Sequence, residues 1–60
     1  MVLEDILEIT SESITVNVVD YDSGNIISYY DGKNSIDSEL NQRKVIMQYV
    51  QNNELYIIIL

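Results

Sequence analysis

The sequence predicts an α+β fold: a short N-terminal helix packed on an antiparallel sheet of about four strands, in the order helix, hairpin, short helix, hairpin. Three observations carry this expectation. The last sixteen residues, Val45 to Leu60, alternate around Asn52-Asn53 as a β-hairpin that is apolar on both faces. A second alternating stretch turns back on itself around Gly24. At the N-terminus the apolar residues recur at spacings of three and four, the period of an amphipathic helix.

The elements follow in order. Val2, Leu3, Ile6 and Leu7 form one stripe with Glu4, Asp5 and Glu8 between them, so residues 2–9 read as a two-turn helix whose early acids suit the positive end of its dipole. A helix this short is unstable alone, so its stripe is expected to dock on the sheet, against the face bearing Ile46, Val50, Leu55, Ile57 and Ile59. The polar stretch Thr10 to Ser13 ends it. Ile14, Val16 and Val18 then alternate with Thr15, Asn17 and Val19 as a first strand. Tyr21 to Asn25 makes a loop in which Gly24 or Asn25 takes positive φ, and Ile26 to Tyr30 returns as the second strand. Past the turn from Asp31 to Asn34, Ser35 is placed to cap a short helical turn in which Ile36 and Leu40 point the same way. In the final hairpin a two-residue turn puts Ile46, Gln48, Val50, Leu55, Ile57 and Ile59 on one face. Val45, Met47, Tyr49, Tyr56, Ile58 and Leu60 fall on the other. The connection through residues 31–43 leaves open whether the two hairpins share one sheet.

Sixty residues make one domain, 1–60, and a chain of this size buries only about 60% of its unfolded surface. Small domains are usually stapled by disulfides or metals, yet this chain has no Cys and no His. Burying the second apolar face against a copy of itself would supply the missing stability, so a homo-oligomer, a dimer first of all, is expected. The expected interface is Val45, Met47, Tyr49, Tyr56, Ile58 and Leu60. Tyr49 and Tyr56 should sit opposite each other across the hairpin, and tyrosine suits an interface because an apolar ring carries a polar tip. Tyr29 and Tyr30 point to opposite faces of their strand, so only one of them can join that patch.

Ten acids stand against three bases, a net charge of −7. Residues 1–32 hold Glu4, Asp5, Glu8, Glu12, Asp20, Asp22 and Asp31 with no Lys or Arg, while Asp37, Glu39 and Glu54 balance Lys33, Arg43 and Lys44. Such a surface repels nucleic acid and anionic lipid, because binding to phosphates depends on basic groups. The charge serves solubility. A sharper alternative is that Glu4, Asp5, Glu8, Glu12, Asp20 and Asp22 form an acidic face for a basic partner. The N-terminus lacks the basic and apolar regions of a signal peptide, and Leu55 to Leu60 is too short to cross a bilayer, so a cytoplasmic location is expected.

No pattern points to catalysis or to a cofactor. There is no His for proton transfer near neutral pH, no Cys nucleophile and no glycine-rich phosphate cradle, and the carboxylates are spread over turns and wet surfaces. Asp20-Tyr-Asp22-Ser-Gly24-Asn25 begins like a calcium loop with Asp31 at its twelfth position. Its fifth position is Gly24 and its sixth, where such loops need glycine, is Asn25. A hairpin turn accounts for the same residues.

The run from Val2 to Ile9, the turn Asp22-Ser-Gly24-Asn25, the segment Gly32 to Ile36 leading to Leu40, Arg43-Lys-Val45 and the ending Asn52 to Ile59 together resemble the small acidic hypothetical proteins encoded in phages and prophages of low-GC Gram-positive bacteria. Ten Ile, six Asn and five Tyr, with no Ala, Pro, Trp, His, Phe or Cys, agree with AT-rich coding. The resemblance brings no catalytic residue with it. It implies an accessory protein, and such proteins include inhibitors of host restriction and other defence systems that act by binding. Three classes of function are therefore in play. They are a non-enzymatic homo-oligomeric interaction module, an acidic inhibitor or nucleic-acid mimic that blocks a host enzyme, and, least supported, a catalytic or metal-binding protein.

Overall fold

A computed structural model describes residues 1–10, 13–31 and 38–60. One helix, α1 (Leu3–Ile9), precedes four strands, β1 (Val16–Asp20), β2 (Ile26–Tyr30), β3 (Val45–Gln51) and β4 (Glu54–Ile59). The fold is α+β, as the periodicities imply. Both hairpins form, β1 with β2 and β3 with β4, and both lie in a single sheet of order β2-β1-β4-β3. The expectation of a fully antiparallel sheet is corrected, because the central strands β1 and β4 run parallel, from Val16↔Leu55 to Asp20↔Ile59. A parallel pair needs a long connection. Residues 21–53 supply it, carrying both outer strands on the way. Ser35 to Asp37, most of the proposed second helix, lie outside the described residues. Ser38 to Leu40 form a turn whose Ser38 carbonyl accepts from Asn41 N–H at 3.2 Å.

The helix survives at seven residues because the chain completes its first turn. Leu3 N–H donates to the Arg43 carbonyl and Glu4 N–H to the Asn41 carbonyl, each at 3.0 Å, so two of its orphan donors find backbone acceptors. The Asp5 carboxylate accepts from Val2 N–H at 3.1 Å, closing the entry to the helix. Val45 N–H donates to the Met1 carbonyl at 2.9 Å and Val2 bridges Lys44, which ties the N-terminus to the start of β3.

Leu3 and Ile6 insert into Val16, Val18, Ile57 and Ile59 to make the core, with Leu7, Tyr30, Leu40, Val45 and Leu55 packed around it. The helix therefore docks over the central parallel pair rather than over the hairpin alone. Ile57 and Ile59 are covered as expected, but Ile46 and Val50 remain exposed, 42% and 70%, because they lie on an outer strand that α1 does not reach.

Candidate interaction face

The side of the sheet away from α1 has no described element over it, and sequence dictates what it shows. Asn52 and Asn53 both take positive φ, 53° and 64°, which produces the tight two-residue turn that asparagine tolerates. That turn sets the register Gln51↔Glu54, Tyr49↔Tyr56 and Met47↔Ile58. Ile46 is then an extra residue, and pairing resumes one step out of phase at Val45↔Ile59.

This bulge corrects one member of the expected interface. Val45 turns to the core side, where it packs beside Ile59, so it does not belong with Met47, Tyr49, Tyr56 and Ile58. Strict alternation would have paired Val45 with Leu60. Instead Leu60 N–H donates to the Lys44 carbonyl at 2.9 Å, and the Leu60 side chain is exposed beyond the last strand. A bulge shifts phase by one residue and leaves no mark in an apolar run such as Val45 to Met47.

The strand registers align the remaining side chains in two rows that cross all four strands. Tyr29, Asn17, Tyr56 and Tyr49 form one row, and Ile26, Val19, Ile58 and Met47 the other. Tyr49 and Tyr56 stack with ring centres 5.1 Å apart and planes 4° from parallel, the cross-strand contact that the hairpin register requires. The rows are deepest at β1, where neighbours on both sides bury Asn17 and Val19, and they open outward to Met47, Tyr49, Tyr29 and Ile26, each 40–54% exposed. Sequence reading left two positions on β2 undecided, and the pairing of β1 with β2 settles them. Tyr29 joins the open face and Tyr30 the core. Asn17, Val19 and Ile26 join the face only because β1 lies beside β4, a long-range pairing without a local signature.

One end of the face is polar. The Tyr29 hydroxyl donates to Asp31 at 2.9 Å, and the Asn17 side-chain amide donates to Glu54 at 3.0 Å. Asp31, as hydrogen-bond acceptor and as charge, raises the Tyr29 pKa above that of a free phenol, and Glu54 adds to the effect.

The six acids proposed as a partner face are distributed differently. Glu4 accepts from the Gln42 side chain at 3.0 Å, Asp5 closes the start of α1, and Glu8 is exposed on the same helix. Asp20 sits at the far end of β1. Its carboxylate accepts from Ser23 N–H at 3.2 Å and pairs with the Arg43 guanidinium at 3.2 Å. The Ser23 hydrogen bonds lower its pKa most; partial burial opposes them and Arg43 adds to the lowering. Asp22 is exposed in the loop that follows, and Glu12 lies outside the described residues. The described acids of this set thus lie on α1 and at the end of β1 with its following loop, and Asp20 is paired with Arg43 within the chain.

The calcium-like stretch forms a tight turn. Gly24 has φ 73°, Gly24 N–H donates to the Asp20 carbonyl at 2.8 Å, and Asp20 N–H donates to the Asn25 carbonyl at 2.9 Å. Among the described residues no three acidic, His or Cys side chains converge as metal ligands would, and no helix is long and apolar enough to cross a membrane. Compared with known protein families, curated proteins and solved structures, the chain matches none.

Proposed function

We propose that this chain is a non-enzymatic, homo-oligomeric interaction module of the phage or prophage type, working in the cytoplasm of a bacterial host, and that its contact surface is the open face of the sheet. The observation that carries this reading is the pair of apolar and tyrosine rows on the side opposite α1, with Met47 54% and Tyr49 40% exposed. A contiguous apolar sheet face is costly to leave in water and is characteristic of an interaction site. The contact residues are Met47, Tyr49, Tyr56 and Ile58, joined by Tyr29, Val19 and Ile26, with Leu60 at the rim. Val45 drops out because it serves the core.

The reading as an acidic inhibitor ranks second, since Asp20, one of the acids it needs, is already paired with Arg43. Light scattering on the intact chain tests the first reading. Wild type is expected to be a dimer that Tyr49→Glu converts to a folded monomer, because a carboxylate at the centre of a dry contact is strongly disfavoured. A variant that remains assembled with an unchanged melting temperature would remove Tyr49 from the contact.

A further inference from the structure

Resting on that reading, we propose that the occupant of the open face is a second copy laid down with its strands reversed, so that the tyrosine row of each copy lies across the aliphatic row of the other. The face has a direction. Its two ends differ in charge as well as in shape. At the end marked by the Asn52–Asn53 turn lie Asp31 and Glu54, held by Tyr29 and Asn17. At the opposite end, where β3 begins and β4 finishes, lie Arg43 and Lys44, the two bases among the described residues, with Asp20 closing β1 beside them and paired with Arg43.

With the strands of the two copies aligned, two symmetric ways exist to place one sheet face on another copy of itself. With the two-fold axis along the strands, like ends coincide, and Asp31 and Glu54 of one copy crowd the acids of the other. With the axis across the strands, each strand reverses over its counterpart. Glu54 of one copy then approaches Lys44 of the other. Arg43 is occupied by Asp20 and by the Leu60 carbonyl, so Lys44 is the base left to answer Glu54. Asp22 also lies at the basic end, but in the loop beyond β1, on the side of the sheet away from β3.

Shape agrees with charge. Reversal sets Tyr49 against Met47, Tyr56 against Ile58 and Tyr29 against Ile26, so flat rings meet flexible or branched aliphatic chains, and the thioether of Met47 meets an aromatic face. The alternative arrangement sets Tyr29 against Tyr49 and Ile26 against Met47. A four-stranded face of this kind spans roughly 19 by 20 Å, about 760 Å² of flat area over the two copies, which side-chain relief and the Leu60 rim raise toward the roughly 1,000 Å² at which specific interfaces begin. Small twists of the two sheets would leave them about 30° from alignment.

A charge-swap series tests the orientation. Dimer dissociation constants of the full chain are measured by analytical ultracentrifugation for wild type, Glu54→Lys, Lys44→Glu and the double variant, which keeps the net charge of wild type. Each single variant is expected to weaken the dimer about two- to fivefold, as rim ion pairs do, and the double variant to return within about twofold of wild type. Lys44 and Glu54 on one chain are separated by about seven residues of strand, roughly 23 Å, so any rescue acts between copies. In parallel, Glu54→Cys and Lys44→Cys chains are mixed and oxidised, a clean experiment because the native chain has no cysteine. Disulfides joining position 54 to position 44 are expected to dominate. A dimer in which the double variant is no tighter than the weaker single, or in which 54–54 disulfides prevail, overturns the reversed arrangement and leaves the dimer standing. A wild-type chain that stays monomeric overturns both.

Discussion

The two faces of the sheet are built from the same four strands, yet one is sealed and the other is open. On the helix side Val16, Val18, Ile57 and Ile59 meet Leu3 and Ile6, and none of the six exceeds 3% exposure. On the other side Tyr29, Tyr49, Ile26 and Met47 keep at least 40% of their surface in water. The open face carries tyrosines and Asn17 among its aliphatic residues, yet both faces offer large apolar side chains. What separates the faces is that one seven-residue helix can cover the central pair of strands on one side only. Burial here is set by the supply of covering elements, and among the described residues α1 is the one helix available to cover a face.

Substitutions at the two faces should differ in effect, and the helix side should respond most. Ile57→Ala removes a fully buried side chain at the centre of the core, and a loss of about 2–5 kcal/mol is expected, enough to unfold so small a domain under mild denaturant. Val50→Ala, on the same hairpin but 70% exposed, should stay within about 0.5 kcal/mol of wild type in the same urea titration.

Tyr56→Glu addresses the open face. It removes the stacked ring opposite Tyr49 and places a carboxylate at the middle of the contact, so a loss of about 2–3 kcal/mol in dimer affinity is expected by ultracentrifugation. Retention of the wild-type dissociation constant would move the interface elsewhere.

A smaller effect belongs to the turn that sets the register of both faces. Asn53 has φ 64°, a conformation that a β-branched residue resists, so Asn53→Val should cost about 1–2 kcal/mol. Asn53→Gly should match or exceed wild type in melting temperature. Equal melting temperatures for the Val and Gly variants would mean that the turn does not hold the register.

The smallest expected effect is electrostatic. Asp20 has a lowered pKa in the folded chain, so its stabilising contribution is present above the ordinary carboxylate pKa and is lost as the pH falls through the lowered folded value. Asp20→Asn should therefore melt slightly below wild type near neutral pH, and the gap should close in acid. A gap that widens in acid would give the linkage the wrong sign.

The period of the helix, both hairpins and the Asn52–Asn53 turn were legible in the sequence because each is a local pattern, and the Tyr49↔Tyr56 pairing followed directly from the turn. The parallel contact between β1 and β4 was not. Val16 to Val19 carry no sign of which strand lies beside them, so the membership of Asn17, Val19, Tyr29 and Ile26 in the open face emerged only from the assembled sheet. The bulge at Ile46 was hidden for a different reason. In the run Val45-Ile46-Met47 every residue is apolar, so a one-residue phase shift swaps like for like and moves Val45 from the open face to the core. The pairing of Asp20 with Arg43 was hidden as well, since the two lie 23 positions apart in sequence and no local pattern joins them.

Sedimentation equilibrium of the intact chain over a wide dilution range tests the open face most directly. Association of two copies gives a mass of twice 6.9 kDa at high concentration that falls toward the single-chain value on dilution, and does so at much higher concentration for Tyr49→Glu. A mass of 6.9 kDa at every concentration would mean that the uncovered rows of tyrosine and aliphatic side chains do not join two copies of this chain.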